Sequence, residues 1–315
     1  MEALAKRLAR GGTVLADGAW GTMLIERGLL PGECPEALCL SRPQILTQIA
    51  EKYLDAGAEL LTTNTFGASP LKLRGYGLAH EAQRINRRAV ELLRQAAGER
   101  AWVAGSVGPT GALLAPYGDT TEGEAYAAFE LQVAALAKAG AHAICVETMT
   151  DLREALLAVR AARRVAPEIA ILASMTFDST PRGFYTIMGV SLEQAVAGLS
   201  AAGADAVGSN CGNGSAAMVE IGRELVRKSG RPVLVRPNAG LPERREGRVV
   251  YPEGPEEMAR NARRLIELGV AMIGGCCGTT PEHIRAMREV CGSVGLAHLP
   301  GRSRPDRVAS EAKGP

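Results

Sequence analysis

Aromatic residues supply only 4% of the 315 positions, and 36 basic residues against 34 acidic ones leave a formal net charge of +2. Without a basic field or stacking side chains the chain lacks what nucleic-acid platforms use, so no nucleic-acid partner is expected. No apolar run approaches the length of a membrane span, and Met1–Arg10 reads as a short mixed helix without the apolar core of a signal peptide. The expectation is a cytoplasmic protein without membrane contact. Low-complexity tracts are missing too, because the 37 glycines and 17 prolines are spread along the chain as turn punctuation. Arginines stand among acids, as Arg84, Arg87 and Arg88 do beside Glu81 and Glu91, and so read as solvated helix faces. No internal boundary is visible. Residues 1–300 read as one domain, and residues 301–315, polar and without apolar periodicity, as a tail.

What is present is an alternation of short apolar runs and helix-length segments. The runs are Thr13–Ala16, Leu60–Thr62, Trp102–Ala104, Ala143–Val146, Ile171–Ala173, Ala206–Gly208, Val233–Val235 and Met272–Gly274. Each has the look of a parallel strand buried on both faces. Eight βα units predict an α/β fold, a single (β/α)8 TIM barrel. Gly57, Gly140, Gly203 and Gly269 stand between small or apolar residues just ahead of strands two, four, six and eight, where glycine supplies a left-handed helix stop. An open, doubly wound sheet is the alternative, because Cys211–Ala217 spells Gly-x-Gly-x-x-Ala after a strand. Against it, the next strand ends in Arg236-Pro237-Asn238 rather than in an acid.

In a barrel, reactive groups collect at the carboxyl ends of the strands. Here those ends carry Asp17, Asn64 and Thr65, Ser106, Glu147, Ser174, Cys211, Asn238, and the pair Cys276-Cys277. A single Ser, Thr or Asn in such a place is commonly a helix cap. Two acids and three thiols are harder to explain that way. Seven cysteines without a secretory signal point to metal or catalytic thiols. Adjacent cysteines on a strand face opposite ways, but Gly274, Gly275 and Gly278 allow the chain to turn so that Cys276 and Cys277 share a target. Three thiolates without histidine suit Zn2+ with one position open, an arrangement for holding a substrate thiol. A redox disulfide with a spare thiol is the competing reading. Cys145 alternates into an apolar strand, and Cys34, Cys39 and Cys291 have no evident partner.

The segments Asp17–Leu24, Thr63–Ser69, Ser106–Gly111, Glu147-Thr148, Asn210–Gly212, Pro237–Gly240 and Gly274–Gly278 together resemble the homocysteine S-methyltransferase family, over roughly residues 10 to 295. That family includes the homocysteine-binding module of cobalamin-dependent methionine synthase and betaine-homocysteine methyltransferase. The resemblance implies a (β/α)8 barrel in which Cys211, Cys276 and Cys277 hold zinc and the sulfur of L-homocysteine is the fourth ligand on the way to methionine. It also implies that Asp17 and Glu147 receive the substrate ammonium, that Asn64, Thr65 and Ser106 line the pocket, and that Asn238 takes the fourth metal position before substrate enters.

The methyl donor is left open between two expectations. The Asp17–Thr22 and Pro237–Pro242 segments look closer to the cobalamin-dependent module, which implies a separate methylated corrinoid protein supplied by methyltetrahydrofolate. None of the four histidines sits in an Asp-x-His-x-x-Gly cobalamin signature. A small donor such as S-methylmethionine or betaine is the alternative, with Trp20 either facing its positive charge or simply packing. A reading of another class makes the barrel a noncatalytic zinc- or homocysteine-binding component of a methyltransferase complex.

Overall fold

A computed structural model describes residues 2–245 and 247–295; the polar tail expected at 301–315 lies outside them. Eight parallel strands form one sheet: β1 (Val14–Leu15), β2 (Leu60–Thr62), β3 (Trp102–Val107), β4 (Ala143–Met149), β5 (Ala170–Met175), β6 (Ala206–Asn210), β7 (Val233–Arg236) and β8 (Met272–Ile273). Each pairs with its neighbours in chain order, and β1 pairs with β8 through Val14–Met272 and Leu15–Ile273. An Ala16–Leu60 bridge then joins β1 to β2 and closes the ring. The expected (β/α)8 barrel is the observed fold, and the open sheet is excluded.

Side chains alternate along every strand. Val14, Ala16, Leu60, Ala104, Ala143, Cys145, Leu172, Ala206, Leu234 and Met272 form an inner cluster. Their neighbours Leu15, Leu61, Val103, Ile144, Ile171, Val207, Val235 and Ile273 pack outward against the helices. The N-terminal helix Leu4–Ala9 contributes Leu4 and Leu8 to the inner cluster, so it plugs the amino end of the barrel. Gly57, Gly140, Gly203 and Gly269 all have positive φ, as their place after helices required.

The inward parity continues past the apolar layer. Thr62, Ser106, Glu147, Ser174, Asn210 and Arg236, an even number of residues beyond inner-cluster positions, make a buried polar layer near the carboxyl end. Two exposed antiparallel hairpins, Asp178–Thr180 with Gly183–Tyr185 and Glu243–Arg245 with Arg248–Val250, rise above that end. No helix among the described residues is long and apolar enough to cross a membrane.

Candidate metal centre and substrate pocket

Cys211 follows β6, and Cys276 and Cys277 follow β8, on turns that the main chain locks together. Cys211 has φ +61, a left-handed conformation that ends the strand abruptly, and its N–H donates to the Arg236 carbonyl (3.1 Å). Cys276 N–H donates to the Pro237 carbonyl (2.7 Å), and Ala239 N–H to the Cys277 carbonyl (3.0 Å). Gly278 completes the turn at φ +79 with the Tyr251 ring against it; a Cβ there would lie 2.2 Å from the ring carbon Cγ.

The three sulfurs lie within 4.8 Å of one another, and no other cluster of three His, Cys, Asp or Glu ligand atoms occurs among the described residues. Cys211 and Cys277 stand 3.9 Å apart. A tetrahedral zinc with Zn–S bonds of about 2.3 Å separates its sulfurs by about 3.8 Å, so the spacing fits a metal. It does not fit a disulfide of about 2.05 Å, and all seven cysteines are free. The redox reading therefore has no support in the geometry. As thiols the three resist ionisation. Cys276 is pushed up to about 12, first by its hydrogen bond to Cys211 and then by burial. Cys211 and Cys277, each helped toward the thiolate by one sulfur hydrogen bond but opposed by a second and by burial, stand at about 11. A cation that replaced those protons would remove the opposition.

Asn210, fully buried, ties this centre to β4 and β5. Its Oδ1 accepts from Thr148 N–H (2.8 Å) and Ser174 Oγ (2.7 Å), and its Nδ2 donates to Thr148 Oγ1 (2.7 Å) and Cys276 Sγ (3.7 Å). Thr148 has φ +59 and falls where the β4–β5 register shifts between Val146 and Met149, an irregularity directly after Glu147.

A cavity of about 380 Å³ at the barrel mouth is lined by the three cysteines, Glu147, Ser106, Asn64, Trp20, Phe66, Glu36 and Arg236, among others. Glu147 Oε1 accepts from Ser106 Oγ (2.5 Å). Asn64 is braced by donating to the Pro35 carbonyl (2.6 Å). Three expected site residues do not line the cavity. Thr65 is buried behind it, donating to the Ser106 carbonyl (2.7 Å). Asn238 is buried between the two cysteine turns, and its Oδ1 has no hydrogen-bond partner. Asp17 is fully buried; its carboxylate accepts from Thr62 N–H (2.8 Å), Thr62 Oγ1 (3.1 Å) and the Trp20 indole N–H (2.9 Å). Burial raises its pKa to about 6, against the opposing pull of Arg236 and these donors.

Arg236 is the residue that sequence reasoning passed over as a site member. Its guanidinium is buried between the two acids, with Nη2 3.1 Å from Asp17 Oδ1 and Nη1 3.3 Å from Glu147 Oε2, while Nε donates to the Gly275 carbonyl (3.3 Å). Burial works against its charge, but Glu147 and Asp17 outweigh that and hold its pKa above the ordinary arginine value. Inward parity with Leu234 was the signal that could have found it. The Gly-x-Gly-x-x-Ala turn is occupied as well. At the N-terminus of the helix Ser215–Lys228, where a dinucleotide would place its phosphates, Glu253 takes the Ser215 N–H (2.9 Å). Cys34, Cys39 and Cys145 are buried and Cys291 half-buried, all outside the thiol cluster.

The homocysteine S-methyltransferase family pattern matches residues 14–291. Methionine synthases from Mycobacterium leprae and Mycobacterium tuberculosis are each 34% identical, over 302 and 314 residues, and cover 90% and 94% of this chain. The chain spans about a quarter of the length of these curated relatives (24% and 25%). The metallated form of the homocysteine methyltransferase MmuM from Escherichia coli superposes with a TM-score of 0.76 at 26% identity, over 91% of this chain and 99% of that one. With its barrel, its thiol cluster and a match over nearly all the described residues, the chain belongs to the homocysteine S-methyltransferase family of enzymes.

Proposed function

We propose that the protein transfers a methyl group to the thiol of L-homocysteine, giving methionine, at a zinc ion held by Cys211, Cys276 and Cys277. One observation carries the reading: three free thiols at tetrahedral spacing open into the same cavity as the Glu147 carboxylate. Bound by three thiolates, zinc would supply a fourth position at which a substrate thiol is a thiolate at neutral pH and keeps its electron density for attack on a methyl group. Glu147, fixed by Ser106, receives the substrate ammonium through charge-assisted hydrogen bonds. Asn210 orients Cys276, and Asn64 lines the wall. The unpaired Oδ1 of Asn238, held between the cysteine turns, is the group assigned to the fourth position before substrate arrives. Membership of an enzyme family leaves the noncatalytic-component reading without support. Free thiols throughout suit a reducing, cytoplasmic setting.

For the donor, delivery by a separate methylated corrinoid protein, itself charged from methyltetrahydrofolate, is the first reading. Methionine synthases are relatives at 34% identity, and the Asp17–Thr22 and Pro237–Pro242 side of the site resembles the cobalamin-dependent module. The rim supports a protein partner too. Among the described residues, the ten large exposed apolar side chains, from Ile25 and Leu30 to Leu241 and Val249, lie on segments that follow the carboxyl ends of barrel strands. A small sulfonium or ammonium donor is the second reading, favoured by the match to 99% of the Escherichia coli methyltransferase and by the Trp20 ring lining the cavity.

The test is metal content and homocysteine-dependent proton release on the reduced protein, followed by methionine formation with methylcobalamin, S-methylmethionine and betaine. Bound zinc and proton release are expected, with turnover from one donor class. A reduced protein that takes up no zinc would refute thiol activation.

A further inference from the structure

A cation already sits where two carboxylates converge. The guanidinium of Arg236 bridges Asp17 and Glu147 at the cavity floor, at 3.1 and 3.3 Å. Two further donors face Thr62 Oγ1 (3.5 Å) and the Gly275 carbonyl (3.3 Å), so four of its five N–H groups are directed at the barrel's own acceptors. Asp17 is closed to the cavity, its oxygens taken by Arg236, Thr62 and Trp20. Glu147 differs: it lines the cavity and has one interior partner on each oxygen, Ser106 on Oε1 and Arg236 on Oε2. Each carboxylate oxygen can accept a second bond, and at Glu147 the free positions are those beside the cavity.

We propose that Arg236 is a positioning residue that occupies the cation seat between Asp17 and Glu147, so that Glu147 alone meets the α-ammonium of the substrate. The inference rests on the homocysteine reading and refines it: one acid, not two, recognises the amino group, and the guanidinium fixes Oε2 of that acid. Asp17 acts only through Arg236, Thr62 and Trp20.

The probes are L-homocysteine and its des-amino analogue 4-mercaptobutyrate, titrated into cobalt-substituted protein, where thiol binding is read from the sulfur-to-cobalt absorption. One charge-assisted contact is worth roughly a 10- to 100-fold preference for homocysteine. Glu147→Gln, isosteric and at the cavity wall, should abolish that preference while leaving 4-mercaptobutyrate binding and cobalt uptake unchanged. A residual preference of about tenfold in this variant would show a second acceptor and overturn the proposal. Arg236→Met vacates the seat, so it should increase the preference for homocysteine, and Arg236→Lys should return it toward the parent value. Equal weakening of both thiols by Arg236→Met would mean that Arg236 serves the fold or the substrate carboxylate, and would also overturn it. If neither thiol perturbs the cobalt spectrum of the parent protein, the methyl-transfer reading fails first and this one with it.

Discussion

Asn210 is the residue through which the geometry of the metal centre can be tested apart from its ligands. It makes four hydrogen bonds inside the barrel: two as acceptor, from Thr148 N–H and Ser174 Oγ, and two as donor, to Thr148 Oγ1 and Cys276 Sγ. Asn210→Ala leaves a main-chain N–H and a buried hydroxyl without acceptors. At about 1–3 kcal/mol for each stranded group, the loss is about 2–6 kcal/mol, or a melting temperature lower by roughly 3–9 °C for a chain of this length. The released peptide is the one at Thr148, whose φ of +59 is unfavourable without that bond, so the backbone next to Glu147 relaxes too.

Asn210→Asp separates the two sides of the same residue. Aspartate keeps both acceptor bonds, and the Thr148 hydroxyl can turn to donate to it, so only the hydrogen bond to Cys276 disappears outright. It also places an acid beside three sulfurs that must carry negative charge. Metal affinity should therefore fall by about 10- to 100-fold in Asn210→Asp, and at least as far as in Asn210→Ala. Competition against a chromophoric chelator measures this directly. An Asn210→Asp protein that holds zinc with parent affinity would refute the view that this amide orients Cys276.

Other expectations follow from individual side chains. Cys276→Ala should abolish zinc binding measured after dialysis, because two thiols cannot hold a site open to substrate. Gly278→Ala puts a side chain at φ +79 and 2.2 Å from the Tyr251 ring; a strained backbone costs about 1–3 kcal/mol, and zinc affinity should drop as the Cys277 turn shifts. His142 is held neutral, its pKa lowered from 6.5 to about 4 by burial and then by Arg94, while its Nδ1 accepts from Val103 N–H (2.9 Å). As pH falls from about 6.5 to about 4 the unfolded chain takes up a proton that the fold refuses, so stability falls across that window. Discounted for partial exposure, the loss is about 1–2 kcal/mol; urea midpoints at about pH 7 and pH 4.5 should show it, and His142→Gln should flatten it.

The barrel was legible because parallel strands buried on both faces must be apolar throughout, and eight such runs with helix-length gaps admit few folds. The cysteines were legible because adjacent thiols flanked by glycines have little structural use elsewhere. The two hairpins were not: their strands are exposed, and Glu243–Arg245 is charged at every position, so no alternation marks it. Asn210 read only as the residue before Cys211, since four bonds to three separate segments leave no trace in local sequence. Asp17 was found as an acid at a strand end, but whether such an acid faces a ligand or a neighbouring arginine depends on what the opposite strands supply.

Arg236 shows why charge at a strand end misleads. A charged residue closing an apolar run is ordinarily where the chain meets solvent, and Val233–Val235 followed by Arg-Pro-Asn reads that way. Parity reads otherwise, because Arg236 shares the face of Leu234, which points into the barrel. An arginine there is tolerable only if anions wait inside, and the sequence had already placed two at the same level on β1 and β4. The acids and the arginine are thus one decision: Asp17 and Glu147 without Arg236 would leave two like charges in a buried layer, and Arg236 without them an uncompensated cation. With all three in place the layer carries one net negative charge, and Glu147 is the member that borders the cavity. A zwitterionic amino acid entering with its thiol toward the cysteines brings the cation that balances that charge, so binding the substrate completes the electrostatics of the barrel floor rather than disturbing it.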